Sequence, residues 1–100
     1  MNTPLNCDAQ DMLEAAILQH RRLDVIYQPE NGEITTFQRV LPIEINSQGG
    51  TEQLAILTTD NLGGILKLKL DTAGIHAFEA KDFKDPKIQY NKKNEPSCGI

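Results

Sequence analysis

The apolar period of this chain changes only once, from 3.6 to 2 near Leu23, and that switch limits the fold to one helix followed by strands. Ahead of it, Ala9, Met12, Leu13, Ala16 and Ile17 recur at i, i+3, i+4, i+7 and i+8, the stripe of a helix with one buried face. The spacing predicts a helix over 9–20, after a lead-in over 1–7 in which Pro4 excludes helix. Asp8 is a suitable N-cap, and Asp11 stands at the third helical position in the manner of a capping box. Both also favour the positive end of the helix dipole.

Beyond the switch, Leu23, Val25 and Tyr27 alternate with Asp24, Ile26 and Gln28, which predicts a strand. Pro29-Glu30-Asn31-Gly32 is a turn, with Asn31-Gly32 a strong hairpin signal. A second strand is predicted from Ile34 to about Val40, with Pro42 marking its end or an edge, and a short third one over 43–45. The stretch 52–59 is apolar on both faces from Leu54 to Leu57 and is expected to be central. Leu66, Leu68 and Leu70 alternate with Lys67 and Lys69, the pattern of a strand with one buried face, and 75–78 is a last short strand.

The fold class that follows is α+β, mainly β: an N-terminal helix packed on a small Sm-like or SH3-like antiparallel barrel of five or six strands. Residues 1–80 are read as its single domain and 81–100 as a polar, flexible tail, disordered from about Asn91. Phe83, Ile88 and Tyr90 are the side chains with which part of that tail can dock.

A hydrophobic fraction of 39% with 24% charged residues belongs to a globular chain rather than a disordered one. No apolar run approaches the roughly 20 residues of a spanning helix, and no basic-then-apolar leader opens the sequence, so a cytoplasmic location with no membrane is expected. Net charge is −4. Residues 1–33 carry Asp8, Asp11, Glu14, Asp24, Glu30 and Glu33 against Arg21 and Arg22. An acidic body argues against direct nucleic-acid binding, where neutralised phosphates supply most of the affinity, and fits a basic protein surface.

The acids are placed to make such a contact. Asp8, Asp11 and Glu14 recur at a spacing of three, with no basic residue before Arg21. Helix capping is a sufficient role for Asp8 and Asp11, but Glu14 lies a full turn further in and is not needed for it. At about 100° per residue, Asp11, Glu14 and Leu18 fall together opposite the apolar stripe, with Leu18 between the carboxylates and no core to enter. Single exposed leucines are ordinary, so the case rests on the cluster of Asp8, Asp11, Glu14 and Leu18 as candidate partner-binding residues.

Catalysis is not expected. His20 ends the helix on its buried side, where a dipole-compatible role is favoured over that of a base, and His76 has no acid or nucleophile adjacent in sequence. Ser47 and Ser97 lie in no nucleophile motif, and Cys7, before a helix start, lacks a recognisable base. Gly49-Gly50 and Gly63-Gly64 match no phosphate loop. Cys7, Cys98, His20 and His76 are not spaced as metal ligands, so neither a metal nor a cofactor is expected and the cysteines read as free thiols. Lys67 and Lys69 protect a strand edge or aid solubility, and whether they and Arg39 form a second site is open at this level.

The lead-in and helix resemble the Rof family, small bacterial inhibitors of the transcription terminator Rho, in Pro4, Asn6, Cys7, Asp8, Asp11, Leu13, Glu14 and Ala16. Gly32 at a hairpin turn, Leu68-Lys69-Leu70-Asp71 and Ile75-x-x-Phe78 are similar in layout, and the likeness covers roughly residues 4–78. It implies an Sm-like fold and binding to the basic RNA-binding surface of Rho, with Asp8, Asp11 and Glu14 in the binding element. Such binding would block RNA loading and act as antitermination. A second likeness is to WYL domains, regulatory modules that sense a nucleic acid or small ligand. It rests on Arg39-Val40-Leu41-Pro42, the basic stretch Gln19-His20-Arg21-Arg22, Tyr27 and Gly32. Glu52-Gln53-Leu54 stands where that family's name motif would fall.

Overall fold

Ala9, Leu13 and Ala16 are fully buried and fix the rotation of α1 (Cys7–Gln19) in the computed structural model, which describes residues 7–82 and 87–91. Two of the three are alanines, whose small side chains let the helix axis approach the sheet closely, and α1 packs chiefly on the second strand. The helix starts earlier than the capping pattern predicts. Asp8 lies inside its first turn rather than at the cap, so its carboxylate meets the dipole and not a capping position. The lead-in residues 1–6, with Pro4 and Asn6, lie outside the described residues.

The helix ends in a Schellman motif. The N–H of Arg21 donates to the Ala16 carbonyl at 2.9 Å and that of His20 to the Ile17 carbonyl at 3.3 Å. His20 takes the left-handed conformation this requires, with φ +55, and is exposed. The expectation that it ends the helix on the buried side is therefore corrected. Reversal of the chain at His20 turns its side chain to solvent and swings the next residue, Arg21, inward.

Among the described residues six strands follow, β1 (Leu23–Tyr27), β2 (Thr35–Gln48), β3 (Thr51–Thr59), β4 (Ile65–Asp71), β5 (Ile75–Glu79) and β6 (Gln89–Asn91), with a 3-10 turn over Thr72–Gly74. They form one sheet in the order β4-β3-β2-β1-β5-β6, antiparallel throughout. The α+β class holds, with one helix on a mainly β domain, but the barrel does not close. Among the described residues β4 and β6 remain edges, and three-residue β6 pairs only with β5.

β2 gives the sheet its bend. From Thr35 to Val40 it pairs with β1, and from Leu41 to Gln48 with β3. The strand expected to stop near Pro42 therefore continues, and the short strand over 43–45 is its second half. Pro42 is tolerated because it stands at the changeover between partners, beside a bulge at Ile43 where the register slips and a missing N–H costs least. A second bulge sets Gln38 and Arg39 opposite Asp24, with Arg39 at φ +56.

One cluster makes the core: Leu13 and its neighbours from α1, Leu23 and Val25, Val40, Leu54 and Ile56, Leu70, Ile75 and Phe78, and Ile88 and Tyr90. β3 lies between β2 and β4, with Leu54, Ala55 and Ile56 buried. The rings of Phe78 and Tyr90 stack with centroids 5.0 Å apart, a contact worth about 1 kcal/mol beyond the area it buries. Residues 87–91 are thus part of the folded unit, and the domain boundary drawn at residue 80 moves to at least Asn91. Residues 83–86, with Phe83, and 92–100 lie outside the described residues.

The alternation in β4 is only half used. Leu70 is buried opposite Leu54 and Leu68 is partly covered opposite Ile56, but Leu66 faces Thr58 and is 42% exposed. The core ends at the Ile56–Leu68 pair, and the hairpin beyond it carries Leu66, Ile65 and Leu62 into solvent. At its tip Asp60 closes the turn, its Oδ1 accepting the N–H groups of Leu62 and Gly64. Gly63 supplies the positive φ there, at +84.

Candidate functional site

With Ala9, Leu13 and Ala16 turned to the sheet, helical geometry sets which side chains of α1 face away from it. Asp8, Asp11, Glu14 and Leu18 are all exposed, Leu18 at 80%. At 3.6 residues per turn they lie within an arc of about 120° and a length of about 15 Å, with Leu18 between Asp11 and Glu14. Among the described residues none of the three carboxylates forms a hydrogen bond or an ion pair. The face carries one sign of charge and ends, one turn beyond Glu14, at a single exposed leucine.

The base of the helix is held by a half-buried polar link. Gln10 Nε2 donates to Glu52 Oε2 at 2.6 Å, and the Thr72 hydroxyl donates to Glu52 Oε1 at 2.9 Å. Glu52 therefore orients the first half of α1 against β3 and takes no part in the exposed face.

At the other end of α1, side chains distant in sequence meet in a cleft of about 620 Å³ lined by Arg21, Arg22, Asp24, Arg39, Lys81 and Asp82. Arg21, whose side chain is 1% exposed, pairs with Asp82 through two bonds, Nη2 to Oδ1 at 2.7 Å and Nε to Oδ2 at 3.2 Å. Arg22 Nη1 donates to the Arg39 carbonyl at 3.1 Å, and the Arg39 N–H donates to Asp24 Oδ1 at 2.9 Å. Lys81 Nζ lies 3.1 Å from Asp24 Oδ2. Burial pushes the Asp24 carboxyl up, but the Arg39 N–H and Lys81 together outweigh it and hold the pKa below the ordinary aspartate value. The same bond to Asp24 holds Lys81 above the ordinary lysine value.

Sequence reasoning named Arg39 and, in the WYL likeness, Arg21 and Arg22, but did not bring Asp24, Lys81 and Asp82 to them. The partners Arg21 and Asp82 are 61 positions apart, and a left-handed arginine has no local signature. The lysines of β4 do not join this cleft: Lys67 pairs with Glu44 at 3.6 Å on the exposed hairpin. His76 Nε2 lies 3.2 Å from Gln28 Oε1, with no nucleophile in the pair. Among the described residues no three His, Cys, Asp or Glu side chains are placed to hold a metal ion, and no helix is long and apolar enough to cross a membrane. Ser97 and Cys98 lie outside the described residues. Comparison of the sequence with protein-family models and with curated proteins gives no match.

Proposed function

We propose that this protein is a non-catalytic binding module of the cytoplasm. In this reading it docks the exposed face of α1 on the basic RNA-binding surface of the transcription terminator Rho, and so inhibits termination. The observation that carries the reading is the unpaired acidic face itself: Asp8, Asp11 and Glu14 run up one side of α1 to exposed Leu18 and are neutralised by no cation among the described residues. The resemblance of this segment to the Rof family names the partner. Carboxylates at the rim steer a basic surface into contact, and a central apolar side chain then slows dissociation.

The test is direct binding of the purified chain to Rho, with Rho-dependent termination read in parallel. Binding should weaken steeply as salt rises, because exposed charges are screened within about 10 Å at 0.1 M salt. Unchanged termination at low salt in the presence of excess protein would rule the reading out.

A further inference from the structure

We infer that the cleft at the C-terminal end of α1 binds a phosphorylated small molecule of nucleotide size, its phosphate held by Arg22, Arg39 and Lys81. Four cations and two carboxylates are among the described residues lining this cleft, on a chain whose net charge is −4. The carboxylates are already engaged. Asp82 holds Arg21, and Asp24 accepts both the Arg39 N–H and the Lys81 ammonium. Local negative charge is thus compensated before any ligand arrives.

Arg39 is the group that points most directly to an anion. Its backbone is fixed on both sides, N–H to Asp24 and carbonyl to Arg22, at a φ of +56 that a side-chain-bearing residue adopts only at a cost. Its guanidinium, in contrast, forms no hydrogen bond or ion pair among the described residues. A strained, anchored backbone carrying a planar cation that interacts with Asp24 only through its charge, with its N–H groups still open, suits bidentate recognition of phosphate oxygens.

Size and surroundings select a small ligand over a polymer. The cleft volume lies within the ~300–1,000 Å³ of small-molecule sites. It opens, through Asp24, Gln38 and Lys81, onto a shelf on the outer face of the sheet where Ile26 is exposed beside Gln38 and Gln89. That shelf offers an apolar contact and two amides to the remainder of a ligand, and the charge of its carboxylate, Glu79, is met by Lys81. A nucleic-acid strand needs several phosphates neutralised along its length, and Lys67 and Lys69 stand elsewhere, on β4.

The experiment is a titration of the 15N-labelled full chain with ADP, followed by amide chemical shifts, with potassium chloride at matched ionic strength as the control. Saturable shifts at the amides of Arg22, Gln38, Arg39 and Lys81 are expected, with pyrophosphate competing for the same site. Arg39→Gly keeps the bulge, since glycine accepts the positive φ, and should weaken ADP by about tenfold, the loss of one charge-assisted contact. Lys81→Gln should weaken it in the same way, and Glu14→Lys should leave it unchanged. Shifts reproduced by chloride alone, or full affinity in both Arg39→Gly and Lys81→Gln, would overturn the assignment. A short RNA strand that binds more tightly than ADP at equal phosphate concentration would overturn it too, by making the surface a nucleic-acid contact.

Discussion

The amide of Gln10 on α1 and the carboxylate of Glu52 on β3 are joined at 2.6 Å across 42 positions of sequence, and Thr72 shares the same carboxylate. Removing Glu52 leaves the buried Thr72 hydroxyl without its best acceptor and frees one end of the helix. Glu52→Ala should cost about 1–3 kcal/mol in urea unfolding, and Glu52→Gln, which keeps an acceptor, clearly less. Equal losses in the two variants would mean that the link contributes through packing alone.

The two leucines of α1 should separate stability from binding. Leu13→Ala opens a cavity in the core and should cost about 2–5 kcal/mol. Leu18→Ser, on the exposed face, should stay within about 0.5 kcal/mol in thermal unfolding. In the binding assay Leu18→Ser and Glu14→Lys should each weaken the complex by about 1–2 kcal/mol, the first through faster dissociation and the second through slower association. A normal affinity in both variants would remove the helix face from the interface.

His20 occupies a position made for glycine. His20→Gly should therefore raise stability by about 1 kcal/mol, whereas His20→Val should lower it. Calorimetric melting of the three proteins would show whether this order holds.

Asp24 should contribute to the loss of stability in acid. Its folded pKa is depressed, so the unfolded chain takes up the proton first. The stability it contributes is complete above its unfolded pKa near 4 and is lost as pH falls through the lower folded value. Asp24→Asn should flatten the acid side of the stability curve while lowering its plateau near neutrality. Urea midpoints that fall in parallel for both proteins below about pH 4 would contradict this assignment.

The sequence-level reading succeeds where one local period decides the outcome. Ala9, Leu13 and Ala16 place Asp11, Glu14 and Leu18 outward without any tertiary knowledge, and the doubly apolar run from Leu54 to Leu57 marks an interior strand, buried from Leu54 to Ile56 and half-buried at Leu57. It falls short where the structure depends on partners. Pro42 reads as a terminator because a changeover between two ladders has no local sign. β6 is missed because only Ile88 and Tyr90 carry its pattern, and they become core only against Phe78. The basic cleft is assembled from residues 20–24, 38–39 and 81–82, so no window of sequence contains it.

The shared strand β2 also decides how this molecule can come apart. Its first six residues hold β1 and, through it, β5 and β6, while its last eight hold β3 and β4. A cut after Val40 would leave α1, β1 and the first part of β2 on one piece and the rest of β2 with β3 to β6 on the other, so that β5 and β6 would depend on the first piece for their partner β1. The domain is thereby suited to fragment complementation, with recovery of the ordered sheet reporting that the two halves have met.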